Sequence, residues 1–87
     1  MIVTFRKTAT RDVTKAVSHL RDQAGDDVAN RFLQSVEDRI LMLQEFPDSG
    51  RVVTSSGIRA TLLSTFPYQI YYRSRGVSEL IILRIRH

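Results

Sequence analysis

The sequence predicts a two-layer α+β domain, with an N-terminal strand and an antiparallel helical hairpin packed on an antiparallel sheet of three to four strands. Three observations predict it. Apolar residues recur at helical spacing from Ala9 to Leu43, interrupted at Gly25. The stretch Phe66 to Arg73 alternates as a strand does, with Phe66, Tyr68, Ile70 and Tyr72 on one face and Pro67, Gln69, Tyr71 and Arg73 on the other. Leu80-Ile81-Ile82-Leu83 is apolar on both faces and so belongs inside a sheet.

Each element follows in order. Met1 to Phe5 reads as a short strand rich in β-branched residues. Thr8 or Thr10 is a candidate helix cap, because a short hydroxyl side chain accepts from the first free backbone amides. Ala9, Val13, Ala16, Val17 and Leu20 then form the apolar stripe of a helix ending near Gly25, with Arg11, Asp12, Lys15 and Asp22 on its polar side. Asp26-Asp27 opens the second helix, where negative charge suits the positive end of the helix dipole. Its stripe runs through Val28, Ala29, Phe32, Leu33, Val36, Ile40 and Leu43 to about Glu45. So short a connection requires the two helices to fold back on each other. Phe46-Pro47-Asp48-Ser49-Gly50 ends the helix with turn chemistry, Phe46, Pro47 and Gly50 being architectural residues of that exit. Arg51 to Gly57 reads as a loop, Ile58 to Leu63 as a strand and Ser64-Thr65 as a turn into the Phe66–Arg73 strand. Ser74-Arg75-Gly76 closes a hairpin and Glu79 to His87 is the last strand.

With 87 residues, 43% of them hydrophobic, the chain makes one domain spanning 1–87 with a modest core. It has no cysteine, which excludes a disulfide framework and a thiolate metal site. No cofactor motif or metal-ligand spacing is present, and neither a signal peptide nor a membrane span is found, so a cytoplasmic setting is expected. The net charge of +4 is unevenly placed. Residues 1–50 carry seven Lys/Arg against eight Asp/Glu, whereas residues 51–87 carry six Arg against Glu79 alone. A basic sheet attracts an anionic partner, and arginine pairs bidentately with carboxylate or phosphate. His19 falls beside the apolar stripe of its helix, in a packing or solvent role.

Phe46-Pro47-Asp48-Ser49-Gly50-Arg51, Arg59, the run Phe66-Pro67-Tyr68-Gln69-Ile70-Tyr71-Tyr72-Arg73 and the ending Ile82-Leu83-Arg84-Ile85-Arg86-His87 together resemble the ParE branch of the RelE/ParE toxin superfamily. The resemblance covers nearly the whole chain in order. It implies the toxin of a bacterial type II toxin–antitoxin module, neutralised in a hetero-oligomer by a ParD-like antitoxin whose disordered segment folds over the toxin's groove and exposed sheet. It further implies DNA gyrase as the target, inhibited by protein binding, with operator DNA reached only through the antitoxin. Arg59, Arg73, Arg84, Arg86 and Tyr71 are the candidate contacts to antitoxin or target. Members of the family usually continue past the final strand, so in a chain stopping at His87 antitoxin binding is expected to be better preserved than toxicity.

The competing reading from the same superfamily is a RelE-like, ribosome-dependent mRNA endonuclease. Such cleavage needs a base, an acid and cations for the developing phosphorane charge. His87 would supply the acid or base, Arg59, Arg73 and Arg84 the cations, and Tyr71 a stacking surface. Where RelE-like nucleases carry further basic groups, this sequence has Thr61 and Gln69. The expectation is therefore a toxin that acts by binding and has no catalytic residues.

Overall fold

The computed structural model describes residues 1–87. The elements are β1 (Ile2–Phe5), α1 (Lys7–Ala24), α2 (Asp26–Glu45), β2 (Arg51–Val52), β3 (Arg59–Leu62), β4 (Gln69–Arg75) and β5 (Glu79–Arg86). The strands form one sheet in the order β1-β5-β4-β3-β2. All pairs are antiparallel except β1 with β5, which run parallel with Ile2 opposite Glu79 and Phe5 opposite Ile82.

The α+β architecture with its helical hairpin is as expected, but the sheet has five strands and is mixed. Two causes explain the difference. Arg51–Val52, read as loop, pairs with Ala60 and Arg59 as a two-residue edge strand. The N-terminal strand, whose place the sequence left open, lies beside β5, because the helical hairpin returns the chain and serves as the crossover that parallel neighbours require.

Boundaries moved where backbone partners decide them. Phe66 to Tyr68 precede β4, since the Tyr68 amide bonds the Phe66 carbonyl and the Leu63 amide bonds the Tyr68 carbonyl, which folds this segment into a turn. The β4–β5 turn falls at Gly76–Ser78, two residues later than the sequence predicts, with Gly76 at φ 59. Neither Thr8 nor Thr10 caps α1. Arg6 holds the cap position without a side-chain hydrogen bond, and Thr8 has another partner. Gly25 alone joins the helices at φ 92, a conformation in which a Cβ is strained.

The core lies between helices and sheet. Ala9 and Ala16 of α1 and Phe32, Val36, Ile40 and Leu43 of α2 pack against Leu63, Ile70, Tyr72, Leu80, Ile82 and Ile85. The alternation predicted for β4 holds, with Ile70 and Tyr72 fully buried and Tyr71 and Arg73 on the other face. Phe32 is the centre of an aromatic cluster, meeting Phe66 at 5.5 Å and Tyr68 at 4.9 Å edge to face. Each such pair adds about 0.5–1.5 kcal/mol beyond the area it buries.

One irregularity sets which way the C-terminal arginines point. Tyr71 pairs with Arg84 and Tyr72 with Ile82, so Leu83 is an extra residue in β5. Leu80 and Ile82 face the helices before this bulge, and Ile85 faces them after it. The inserted residue shifts the alternation by one. Arg84 and Arg86 therefore fall on the open face rather than in the core.

Candidate functional site

The open face of the sheet is built from side chains that register places together. Directly paired residues point to the same side. Arg51, Ala60, Tyr71 and Arg84 form one row across four strands, and Leu62, Gln69 and Arg86 form the next. Beyond them Arg73 stands opposite Ile81. Between these rows and the β2–β3 loop lies a hollow of about 320 Å³, lined by Val53, Thr54, Ile58, Tyr71, Leu83 and the two arginines 84 and 86. Its base is apolar and its rim cationic.

The arginines differ in how free they are. Arg86 is exposed and has no ion-pair partner. Arg73 is half-buried and donates from Nη2 to the Ser56 carbonyl at 3.0 Å, which anchors the β2–β3 loop. Arg51 donates to Gln69 Oε1 at 2.8 Å and so joins this face, an addition the sequence reading did not make. Glu79, the one acid in the C-terminal half, is taken up by Thr4 Oγ1 at 2.9 Å and by Arg75 at 3.6 Å. No carboxylate forms an ion pair with Arg51, Arg73 or Arg86.

Arg59 is separated from them. It pairs with Tyr72, whose side chain is buried in the core, and hence projects from the helix side of the sheet, opposite to Arg73. Its Nη1 donates to the Asp48 carbonyl at 3.1 Å and the Gly50 carbonyl at 2.7 Å, and Nη2 approaches the Asp48 carboxylate at 3.7 Å. Arg59 clamps the helix exit. Tyr72 holds the same loop, donating to the Pro47 carbonyl and accepting from the Gly50 amide.

Arg84 reaches round the edge of β5 to Asp12. Its Nε and Nη2 donate to the two carboxylate oxygens at 2.8 and 3.0 Å, and the Ile85 amide donates to Asp12 Oδ2 at 2.9 Å. Asp12 was read on the solvent side of α1, yet its side chain is only 13% exposed. Burial would raise its carboxyl, but the hydrogen bonds from Arg84 and Ile85 and the charges of Arg84 and Arg86 outweigh burial and hold it below its ordinary value. The hydrogen bonds that Arg84 donates to Asp12 raise Arg84 in turn.

The backbone explains why Asp12 is there. The ladder with β1 ends after Phe5, where the Arg6 amide bonds the Ile82 carbonyl at 2.9 Å. From that point α1 supplies side chains instead: Thr8 Oγ1 bonds the Leu83 carbonyl at 3.0 Å and Asp12 takes the Ile85 amide. Thr8 and Asp12 are one helical turn apart and share a face. That spacing of four was the signal in the sequence, though it named no partner.

His87 lies away from the open-face rows. Its ring meets Tyr68 edge-on at 5.2 Å, on the side where the end of β5 approaches α1. The set His87, Arg59, Arg73 and Arg84 is thus not gathered around one point. No three His, Asp or Glu side chains are grouped so as to hold a metal ion.

A second surface is apolar. Between β1 and the helices runs a groove of about 490 Å³, lined chiefly by Val3, Phe5, Val13, Leu33, Ile40 and Leu41, with Leu41 64% exposed. It lies beside the free edge of β1. No helix is long and apolar enough to cross a membrane.

The family model described as the ParE toxin of type II toxin–antitoxin system, parDE, matches residues 3–87. Among solved structures, the chromosomal ParDE TA system from P. aeruginosa is similar at 25% sequence identity, covering 100% of this chain and 95% of that chain with a TM-score of 0.85. No curated protein matches.

Proposed function

The chain belongs to the ParE toxin family of type II toxin–antitoxin systems, and on that premise we propose that it is neutralised by a ParD-like antitoxin and inhibits DNA gyrase by binding it. The observation that carries the reading is the division of the arginines. Arg51, Arg73 and Arg86 surround Tyr71 on the open face with no carboxylate partner, whereas Arg59, Arg84 and His87 are engaged within the fold. An unneutralised basic face around an aromatic residue and an apolar hollow suits an acidic protein surface carrying an apolar anchor. Cleavage of RNA, by contrast, needs its acid, base and cations around one phosphate, and the residues available for that are split between the two sides of the sheet.

The antitoxin has a different surface at hand. A disordered segment that folds on binding can lay its apolar side chains in the groove beside β1 and extend onto the basic face. A hetero-oligomer formed this way covers both surfaces at once and keeps the toxin from its target. Operator DNA is then reached through the antitoxin, and the setting is the cytoplasm.

A supercoiling assay with purified gyrase, run beside a ribosome-programmed mRNA cleavage assay, tests the proposal. Gyrase inhibition or trapped cleavage complexes without RNA cuts is the expected result. RNA cuts that vanish in His87→Ala would reverse it.

A further inference from the structure

Both histidines of this chain, 68 positions apart in sequence, line one pocket. The pocket has a volume of about 400 Å³ and lies between α1 and the end of β5. Lys15 and His19 reach it from α1, one helical turn apart on the same face, and Arg86 and His87 reach it from the end of the strand. Buried Ala16 and Ile85 form its floor and Tyr68 one wall. Arg84 and Asp12 complete the charged groups around it.

The charges do not cancel. Asp12 is the only Asp or Glu in the lining, and both of its oxygens are occupied by Arg84 and the Ile85 amide. None of the chain's four ion pairs includes Lys15, His19, Arg86 or His87. Lys15, Arg86 and the two imidazoles thus face a common space in which none of them forms an ion pair.

We propose that this pocket binds a small tetrahedral oxyanion of the phosphate class, such as a phosphate monoester. Cationic side chains line it from a helix on one side and a strand end on the other, and the several oxygens of a tetrahedral anion can accept from both. The site shares Arg84 and Arg86 with the open-face hollow but is distinct from the apolar groove. Its occupancy is independent of the gyrase reading, so either can fail alone.

Sulfate is the probe, a doubly charged tetrahedral oxyanion. The measurement is a titration of the full chain with sodium sulfate at constant ionic strength, following the His19 and His87 ring resonances. Saturable shifts of both rings are expected. Lys15→Ala and Arg86→Ala, both at exposed positions and checked for folding by circular dichroism, should each weaken binding, while Arg31→Ala on α2 should not. Inorganic phosphate should compete with sulfate. Non-saturating shifts, shifts spread evenly over all basic side chains, or saturable binding indifferent to Lys15 and Arg86 would each overturn the assignment.

Discussion

The phenol oxygen of Tyr72 lies 2.9 Å from the Gly50 amide, and Gly50 approaches it so closely that a Cβ there would stand 2.6 Å from the same oxygen. The contact ties the middle strand of the sheet to the exit of α2. Tyr72 also donates to the Pro47 carbonyl at 2.7 Å, so one side chain satisfies a donor and an acceptor of a loop that has no ladder of its own. A fully buried tyrosine is tolerated for this reason.

Tyr72→Phe keeps the ring and removes both bonds. With Gly50 buried, its amide loses a partner, and destabilisation of about 1–3 kcal/mol is expected by urea unfolding. Gly50→Ala should cost a similar amount through overpacking, roughly 1–3 kcal/mol, because the added methyl group also meets the Ala60 carbonyl at 3.0 Å. If the alanine variant unfolded at the wild-type midpoint, the close approach would not constrain the fold.

Arg59 and Arg73 should separate in function. Arg59→Ala releases the Asp48 and Gly50 carbonyls and is expected to lower stability by about 1–2 kcal/mol while leaving the open-face arginines in place. Arg73→Ala with Arg86→Ala should instead weaken antitoxin or gyrase binding and flatten its dependence on salt. Binding measured at two salt concentrations, beside unfolding midpoints, distinguishes the outcomes. Wild-type affinity in the Arg73/Arg86 double variant would remove the open face from the interface.

Asp12 makes the docking of β5 on α1 sensitive to acid. Its carboxyl is held below the ordinary value in the folded protein, so its contribution is present above the unfolded pKa of about 3.9 and is lost as pH falls through the lower folded value. Acid unfolding of the wild type below about pH 4 should therefore be steeper than that of Asp12→Asn, and the variant should be less stable at neutral pH. Unfolding curves at a series of pH values test both statements. Parallel pH profiles for the two proteins would show that Asp12 carries no linkage.

Leu41→Glu places a charge at the mouth of the apolar groove, at a position exposed enough to leave the core intact. Antitoxin affinity is expected to fall at least tenfold, about 1.4 kcal/mol, with no change in melting temperature. An unchanged affinity by calorimetry would move the antitoxin off this groove.

The helical hairpin, the alternating β4 strand and the interior position of β5 were legible because each rests on local periodicity and on residues that punctuate it. Leu80, Ile81 and Ile82 read as central since both their faces are apolar, and all three are buried. The strand at Arg51–Val52 was not legible, because two residues carry no period and are a strand only through Ala60 and Arg59.

The sequence by itself determined the layers, the order of elements, the apolar faces and the concentration of arginine in the second half. It did so because propensity, spacing and charge are properties of neighbouring residues. Only the tertiary structure decided what each arginine does. Arg59 and Arg73 look alike on paper, yet strand register sends one to the helix exit and the other to the open face. Arg84 and Arg86 escape the core through the extra residue at Leu83, and Asp12 meets Arg84 because β1 ends where α1 begins. The bond from Thr8 to the Leu83 carbonyl joins residues 75 positions apart, and such distances are set by the whole fold rather than by any stretch of it.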